Sequence, residues 1–193
     1  MSLRVEALTD AALAAALPDL AQLRIAVFEA FPYLYQGDAA YESQYLRSYG
    51  DTPGAILVAA KDGARIVGAA TGMPLAAHGD ASQIDGPMPR PEDVFYCAES
   101  VLLPQYRGQG LGHRFFDLRE AHARTAGFRR SAFCAVIRPE DHPARPADYR
   151  PLDPFWRARG YEPLPGVTAQ FHWVDVGATQ ETPKTLQFWM KPL

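Results

Sequence analysis

A glycine-rich segment between a strand-like run and a helical pattern is the feature that most constrains this chain. The segment is Arg107-Gly108-Gln109-Gly110-Leu111-Gly112, preceded by an apolar run over 94–103 and followed by helical spacing over 112–126. A turn of this kind leaves several backbone N–H groups unpaired, and the helix dipole favours an anion beside them. Because glycine has no Cβ, the backbone can approach that anion closely. We therefore predict a pyrophosphate-binding loop.

Three nucleotide-binding motifs compete for this segment. His113 stands where the dinucleotide fingerprint needs its third glycine, and the chain has no Gly-Lys-Ser/Thr triplet for a Walker A loop. The pattern that fits is Arg/Gln-x-x-Gly-x-Gly/Ala, which Arg107, Gly110 and Gly112 satisfy. Its place directly after a strand that ends in Val101-Leu102-Leu103-Pro104 makes the match specific.

The stretch from Val101 to Gly112 resembles the central signature of the GNAT superfamily of acyl-CoA-dependent N-acetyltransferases. The order of elements around it fits that family as well, so the resemblance covers most of the chain. It implies a mixed α/β fold in a single domain, 1–193. The central sheet would be largely antiparallel, with a splayed parallel strand pair and flanking helices.

The predicted elements follow from hydrophobic spacing and from turn residues. Strands are predicted at 3–8, 55–60, 65–73, 94–103, 131–137, 167–176 and 185–191, and helices at 10–17, 19–31, 39–49, 112–126 and 153–159. The proline-rich stretches 75–93 and 138–154 are predicted to be loops.

Composition limits the partners and the compartment. The chain has 193 residues, which suits one domain, and its net charge of −3 argues against nucleic acid as a partner. No apolar run reaches the ~18 residues of a membrane span, and the first residues lack a signal-peptide pattern, so we predict a cytoplasmic protein without a membrane partner. Cys97 and Cys134 are expected to be small buried hydrophobes, and no metal-ligand spacing is present, so we predict no metal.

The resemblance implies that acetyl-CoA is the co-substrate and assigns its contacts. The acyl and pantetheine part would lie along Val101, Leu102 and Leu103, where one N–H polarises the thioester carbonyl. The diphosphate would lie on Arg107, Gly108, Gln109, Gly110, Leu111 and Gly112. His113, which follows the last glycine, either donates to a phosphate or faces solvent.

The acceptor is predicted to be a primary amine of a small molecule or a protein, and its ammonium form must lose a proton before attack. Glu99 is the candidate base, since a carboxylate inside an apolar strand is costly unless it is paired or functional. The alternative is an ion pair with an arginine or a side chain exposed at an edge. Glu120, later on the helix, is expected to be a solvated charge, and His78 is expected to be structural.

A general acid for the departing thiolate is less well defined. The family's tyrosine four residues before a glycine is replaced here by Trp156, which precedes Gly160 and cannot act as an acid. Tyr149 is the predicted substitute, with Tyr161 as the alternative. No acid is needed if the thiolate, with a thiol pKa near 8.5, leaves unaided.

Two classes of function remain at this point. The first is an N-acetyltransferase, and the second is a non-catalytic acyl-CoA-binding module, which Trp156 suggests. Arg138, Arg145 and Arg150 would suit an acceptor that carries a carboxylate. A homodimer is also predicted, because the last strand carries Phe188 and Trp189, which could pack on a partner subunit.

Overall fold

A single mixed sheet organises the molecule, which a computed structural model describes from residue 3 to residue 193. The nine strands are β1 (Leu3–Leu8), β2 (Ile56–Asp62), β3 (Arg65–Pro74), β4 (Ile84–Asp85), β5 (Val94–Tyr96), β6 (Ser100–Leu102), β7 (Arg130–Val136), β8 (Glu162–Val174) and β9 (Glu181–Pro192). Their order is β1-β2-β3-β5-β7-β9-β8-β4, with β6 paired to β3. Among the strands of residues 3–193, β5 and β7 are the pair that runs parallel. The predicted fold class is confirmed.

Four α-helices flank the sheet: α1 (Asp10–Phe28), α2 (Ala39–Asp51), α3 (Leu111–Thr125) and α4 (Asp153–Ala158). The prediction of two helices separated at Pro18 is wrong, because α1 continues through this proline. Pro18 lies on the exposed side of the helix, where water can bind the carbonyl that loses its hydrogen bond. The apolar side of α1 packs in the core with α2 and β3.

The strand predicted over 94–103 is two strands. β5 pairs with β7 up to Tyr96, and the Cys97 N–H donates to the Ala132 carbonyl at 2.7 Å. Beyond that bond β6 pairs with β3 alone, while β7 continues against β9. The expected parallel pair therefore separates after Cys97, and a gap opens between β6 and the second half of β7.

The C-terminal strand lies inside the sheet, between β7 and β8. Phe188 and Trp189 are buried in the core of their own subunit. The suggestion that these two side chains contact a partner subunit is therefore wrong, because they have no exposed surface to offer.

Helix α1 is long and apolar enough by composition to cross a membrane. Its buried residues belong to the same core cluster as residues of α2 and β3, which is the packing of a core helix. Cys97 and Cys134 are both buried and free, as predicted.

Candidate active site

The glycine-rich loop presents a row of free backbone donors. Between Arg107, whose N–H donates to Pro104, and His113, whose N–H donates to Gly110, no backbone or side-chain acceptor is found within residues 3–193 for the N–H groups of 108–112. Gly108 and Gly110 have φ of +75° and +77°, a conformation that other residues adopt only with strain. Gly110 is the residue that immediately precedes α3. The loop therefore has the unpaired amides and the helix dipole that an anion site needs.

The side chains of the loop turn away from this row of amides. The Arg107 Nε donates to the Leu102 carbonyl at 3.3 Å, and the Gln109 side chain donates to Gln105 at 3.5 Å. His113 accepts at Nδ1 from Arg159 at 3.2 Å and packs edge-on against Phe155. Its Nε2 remains for a phosphate or for solvent, so the two readings of His113 stay open.

The gap between β6 and β7 leaves one edge of β6 without a partner strand. Antiparallel pairing uses alternate residues, and the Leu103 N–H donates to Val67 at 3.1 Å. In that register Leu103 and Val101 point their backbone groups at β3, while the N–H groups of Ser100 and Leu102 point into the gap. Of the three residues predicted to hold the acyl arm, Leu102 is the one with an N–H available there.

A buried arginine holds the bend between β5 and β6 in place. Arg119 of α3 is fully buried and donates to the carbonyls of Thr71 at 2.9 Å and Glu99 at 3.0 Å. Its other terminal nitrogen donates to the Ser100 hydroxyl at 2.9 Å. The guanidinium thus satisfies the carbonyl groups that the irregular backbone brings together. The helix that carries the glycine loop and the strand that borders the gap are joined through this side chain.

A cavity of about 560 Å³ opens beside the gap. Glu99 from the bend and Cys134 from β7 are among its buried lining residues, and together with Ala98 they define its inner end. Aromatic side chains from α1, the segment between α1 and α2, α2 itself and the strands form much of its walls: Phe28, Tyr33, Tyr35, Tyr41, Tyr45, Tyr96, Phe171 and Trp173. The cavity therefore reaches the point where β6 and β7 separate.

Glu99 lies at the inner end of this cavity in an ion pair. Arg24 donates to its Oε2 at 2.6 Å, and the Thr71 hydroxyl donates to its Oε1 at 2.5 Å. The same arginine donates to the buried Glu42 at 2.5 Å. The carboxylates of Glu99 and Glu42 raise the pKa of Arg24 well above its usual value, although burial acts in the opposite direction. Of the two readings of Glu99, the geometry favours an ion pair with an arginine.

Sequence reasoning missed Arg24, although a signal was present. Arg24 interrupts the apolar stripe that Leu20, Leu23 and Val27 form along α1. This is the same kind of signal, a charge inside an apolar pattern, that pointed to Glu99.

Asp80 is a second carboxylate of the cavity that sequence reasoning missed. It lies in a 3-10 turn, Gly79–Gln83, inside the segment predicted to be an unstructured loop. Its Oδ2 lies 3.4 Å from the Tyr96 hydroxyl and 3.5 Å from His78 Nδ1. Burial raises the pKa of Asp80 to about 7, with a smaller contribution from Glu99. No sequence pattern marks this residue, because a single aspartate in a polar loop is common.

His78 is neutral and structural, as predicted. Burial lowers its pKa to about 4. Its Nδ1 accepts from the Asp80 N–H at 3.0 Å, so its Nε2 carries the proton and donates to the Tyr49 hydroxyl at 2.9 Å. The short contact between His78 and Asp80 is therefore no ion pair.

The tyrosines considered as general acids lie away from the cavity lining. Tyr149 is half-buried on the 138–152 loop, where it packs edge-on against Phe31 and under Arg145. Tyr161 is fully buried and bonds to Ser131 at 2.7 Å and Glu120 at 3.2 Å. The suggestion that Tyr161 acts as an acid is wrong, because it has no exposed surface.

Two further expectations are corrected by the ion pairs. Glu120 is buried and bonds to Lys191 at 2.7 Å and Arg159 at 3.2 Å, so it is no solvated charge. Arg138 donates to Asp175 at 2.8 Å and to the carbonyl groups of Pro32 and Tyr33. It is therefore occupied within the fold and is not free to bind a carboxylate of an acceptor.

A splayed parallel strand pair, a loop of free backbone N–H groups at the start of the following helix and an adjoining cavity are therefore found together in one mixed sheet. The model of the acetyltransferase (GNAT) family matches residues 20–147, and the chain belongs to this family. No curated protein is significantly similar in sequence.

Solved structures share the whole fold. They include a GCN5-related N-acetyltransferase from Kribbella flavida, 18% identical over 99% of this chain and 98% of the other, with a TM-score of 0.58. A ribosomal-protein-alanine N-acetyltransferase from Brucella melitensis is 17% identical over all of both chains, with a TM-score of 0.61. A phosphinothricin acetyltransferase from Sinorhizobium meliloti in complex with acetyl-CoA is 16% identical over 100% of this chain and 89% of the other, with a TM-score of 0.60.

Proposed function

We propose that this protein transfers the acetyl group of acetyl-CoA to a primary amine by direct attack. The observation that carries the proposal is the row of free N–H groups at 108–112, which follows β6 in the chain, together with the gap between β6 and β7. Membership in the acetyltransferase family and the acetyl-CoA complex of the Sinorhizobium meliloti relative support it. The diphosphate would lie on the backbone N–H groups of Gly108, Gln109, Gly110, Leu111 and Gly112, with Arg107 and His113 at either end of this row.

The thioester arm would enter the gap and pair with the free edge of β6. Such an arm binds as an added strand does, through backbone groups that the sheet leaves unused. In this arrangement the Leu102 N–H donates to the thioester carbonyl, and Val101 and Leu103 hold the strand against β3. One donor of this kind stabilises the developing oxyanion by roughly 3 kcal/mol.

The amine would attack from the cavity, and the proton balance follows from the chemistry. The ammonium form loses one proton and its nitrogen bonds to the carbonyl carbon. The tetrahedral intermediate then loses a second proton from that nitrogen as its C–S bond breaks and the amide forms. Glu99 was the predicted base, and its contacts with Arg24 and Thr71 support a positioning role instead. Tyr149 stays a prediction as the acid, and a thiol pKa near 8.5 allows the thiolate to leave without one.

The setting we propose is the cytoplasm. Nucleic acid is not expected as a partner, because the net charge of −3 gives no bulk attraction to it. A homodimer stays a prediction, and its contact would have to lie outside Phe188 and Trp189.

The loop can be tested with two matched glycine variants. In Gly110→Ala we expect acetyl-CoA binding to weaken at least about tenfold, because the φ of +77° is strained for alanine and the amides around it would turn. Gly127→Ala is the control, since its φ of +86° imposes a similar strain at the opposite end of α3. Calorimetric titration measures the binding, and urea unfolding measures the cost in stability.

The proposal fails at the loop if both variants bind acetyl-CoA as the unaltered protein does. It fails as an enzyme if the protein binds acetyl-CoA but releases no free CoA with any amine of a broad acceptor panel.

A further inference from the structure

We infer that the acceptor is a primary amine on an apolar, aromatic-sized body without a carboxylate, and that Asp80 binds its ammonium group and takes one proton from it. This rests on the proposed function, since it describes the second substrate of the same site. The argument uses the walls of the cavity, its charges and the environment of Asp80.

The walls of the cavity suit an apolar body that carries a positive charge. Tyr33 lies stacked against Trp173 with ring centroids 6.0 Å apart, and Tyr41 lies stacked against Tyr45 at 6.4 Å. Burial raises the pKa of Tyr33 and Tyr45, so their phenols stay neutral. Aromatic faces of this kind attract an ammonium group and bury the hydrocarbon attached to it.

The charges of the cavity exclude an acceptor with a carboxylate. Arg24, the one arginine or lysine that lines it within residues 3–193, is bound to both Glu42 and Glu99. The other charged groups of the lining are acidic: Asp38, Asp80 and Glu181. An acceptor carboxylate would therefore be desolvated without a free cation to pair with, which is unfavourable.

Asp80 differs from Glu99 in the two properties that a proton acceptor needs. Within residues 3–193 no lysine or arginine lies within 4.0 Å of it, whereas Glu99 is ion-paired with Arg24. The Asp80 side chain is 16% exposed and Glu99 only 3%, so Asp80 can be reached from the cavity. Both line the same cavity, whose inner end lies at the gap that would hold the thioester.

Several titratable groups surround Asp80 and set its proton affinity. They are His78 and Tyr96 in contact, Glu99 and Arg24 across the cavity, and Tyr41, Tyr45, Tyr49 and Cys134 around them. Burial, the largest effect, raises the Asp80 pKa to about 7. A base with this pKa is half ionised near neutral pH and can both accept and release a proton there.

The proton step balances as follows. The ammonium N–H bond breaks, an O–H bond forms on Asp80, and the freed lone pair bonds to the thioester carbon. The nitrogen of the tetrahedral intermediate then loses its second proton to water, the C–S bond breaks to leave the amide, and CoA departs as a thiolate. Asp80 returns its proton to the thiolate or to water before the next turnover.

The substrate class is tested with three acceptors of similar size. 2-Phenylethylamine carries no carboxylate, phenylalanine carries one, and phenylalaninamide carries a neutral group in its place. We expect kcat/KM for 2-phenylethylamine to exceed that for phenylalanine by about 100-fold or more, with the amide much closer to the amine. Equal or better turnover of phenylalanine would overturn the inference and leave the proposed acetyl transfer intact. If no amine releases CoA, the proposed function itself fails.

The role of Asp80 is tested with Asp80→Asn, and Asp85→Asn serves as the control because Asp85 is an exposed acid a few residues later. In the unaltered protein kcat/KM should rise with pH through about 7, since only the ionised carboxylate accepts a proton. Asp80→Asn should lose this rise and about 100-fold or more in kcat, while binding acetyl-CoA normally, which shows that it is folded. Asp85→Asn should keep both. A rise with pH that persists in Asp80→Asn would overturn the assignment.

Discussion

At the scale of single residues, the inner end of the cavity depends on one buried cation. Arg24 is shared by Glu42 and Glu99, which are 0% and 3% exposed at their side chains. Its guanidinium also lies 4.6 Å from the ring centroid of Tyr45. Such a group holds the two carboxylates and the aromatic wall in one arrangement. The cavity is net negative because its carboxylates outnumber this one cation among the described residues that line it.

Replacing this cation tests its role. Arg24→Met would leave two buried carboxylates without a cation to neutralise them, so we expect the free energy of unfolding to fall by about 3–5 kcal/mol. Arg47→Met is the control, because Arg47 is exposed on α2 and its loss should change stability by less than about 0.5 kcal/mol. Urea unfolding of both variants measures the difference. Equal losses would show that Arg24 contributes no more than a surface charge.

At the scale of elements, the decisive event is the separation of β6 from β7. Cys97 makes the last bond to β7, and Arg119 of α3 then binds the carbonyls of Thr71 and Glu99. Without this side chain the carbonyls of Thr71 and Glu99 would each lose a charged donor, and the Glu99 carbonyl would keep only the Thr71 N–H. The same helix begins at the glycine loop, so the loop and the gap are positioned by one rigid element.

The coupling predicts a specific loss in Arg119→Met. We expect the free energy of unfolding to fall by about 2–4 kcal/mol, because several hydrogen bonds to buried groups are lost. The KM for acetyl-CoA should rise as well, since the free edge of β6 would shift. Arg114→Met, an exposed change on the same helix, should alter neither. An Arg119→Met protein that unfolds with ordinary stability and binds acetyl-CoA normally would contradict this role.

At the scale of the whole molecule, local patterns predicted the fold where chemistry is local. The loop over Arg107–Gly112 has a spacing that follows from its own backbone conformation, and the apolar runs marked most of the strands. The division of the 94–103 strand into β5 and β6 was missed because Arg119, which stabilises the bend between them, lies over twenty residues away in the chain. The continuous helix through Pro18 was missed because a proline inside a helix is tolerated where it faces solvent, and the sequence does not show which side of α1 is exposed.

The same contrast between local and long-range features decided how much of the site could be predicted. The strand and loop that would hold the cofactor are contiguous, so a short motif describes them. The cavity is assembled from α1, α2, the 3-10 turn of Asp80 and β8, which no spacing connects. The roles of Asp80 and Arg24 follow from contacts that the sequence does not reveal: Asp80 lies beside Tyr96, and Arg24 beside Glu99.

The measurement that tests the account most directly is a titration of isotope-labelled protein with acetyl-CoA, followed through its backbone amide resonances. The account predicts that the largest shift changes fall on the N–H groups of 108–112 and on Leu102, because these free donors would gain acceptors. Amides of 108–112 that stay unmoved while the cofactor binds elsewhere would contradict it.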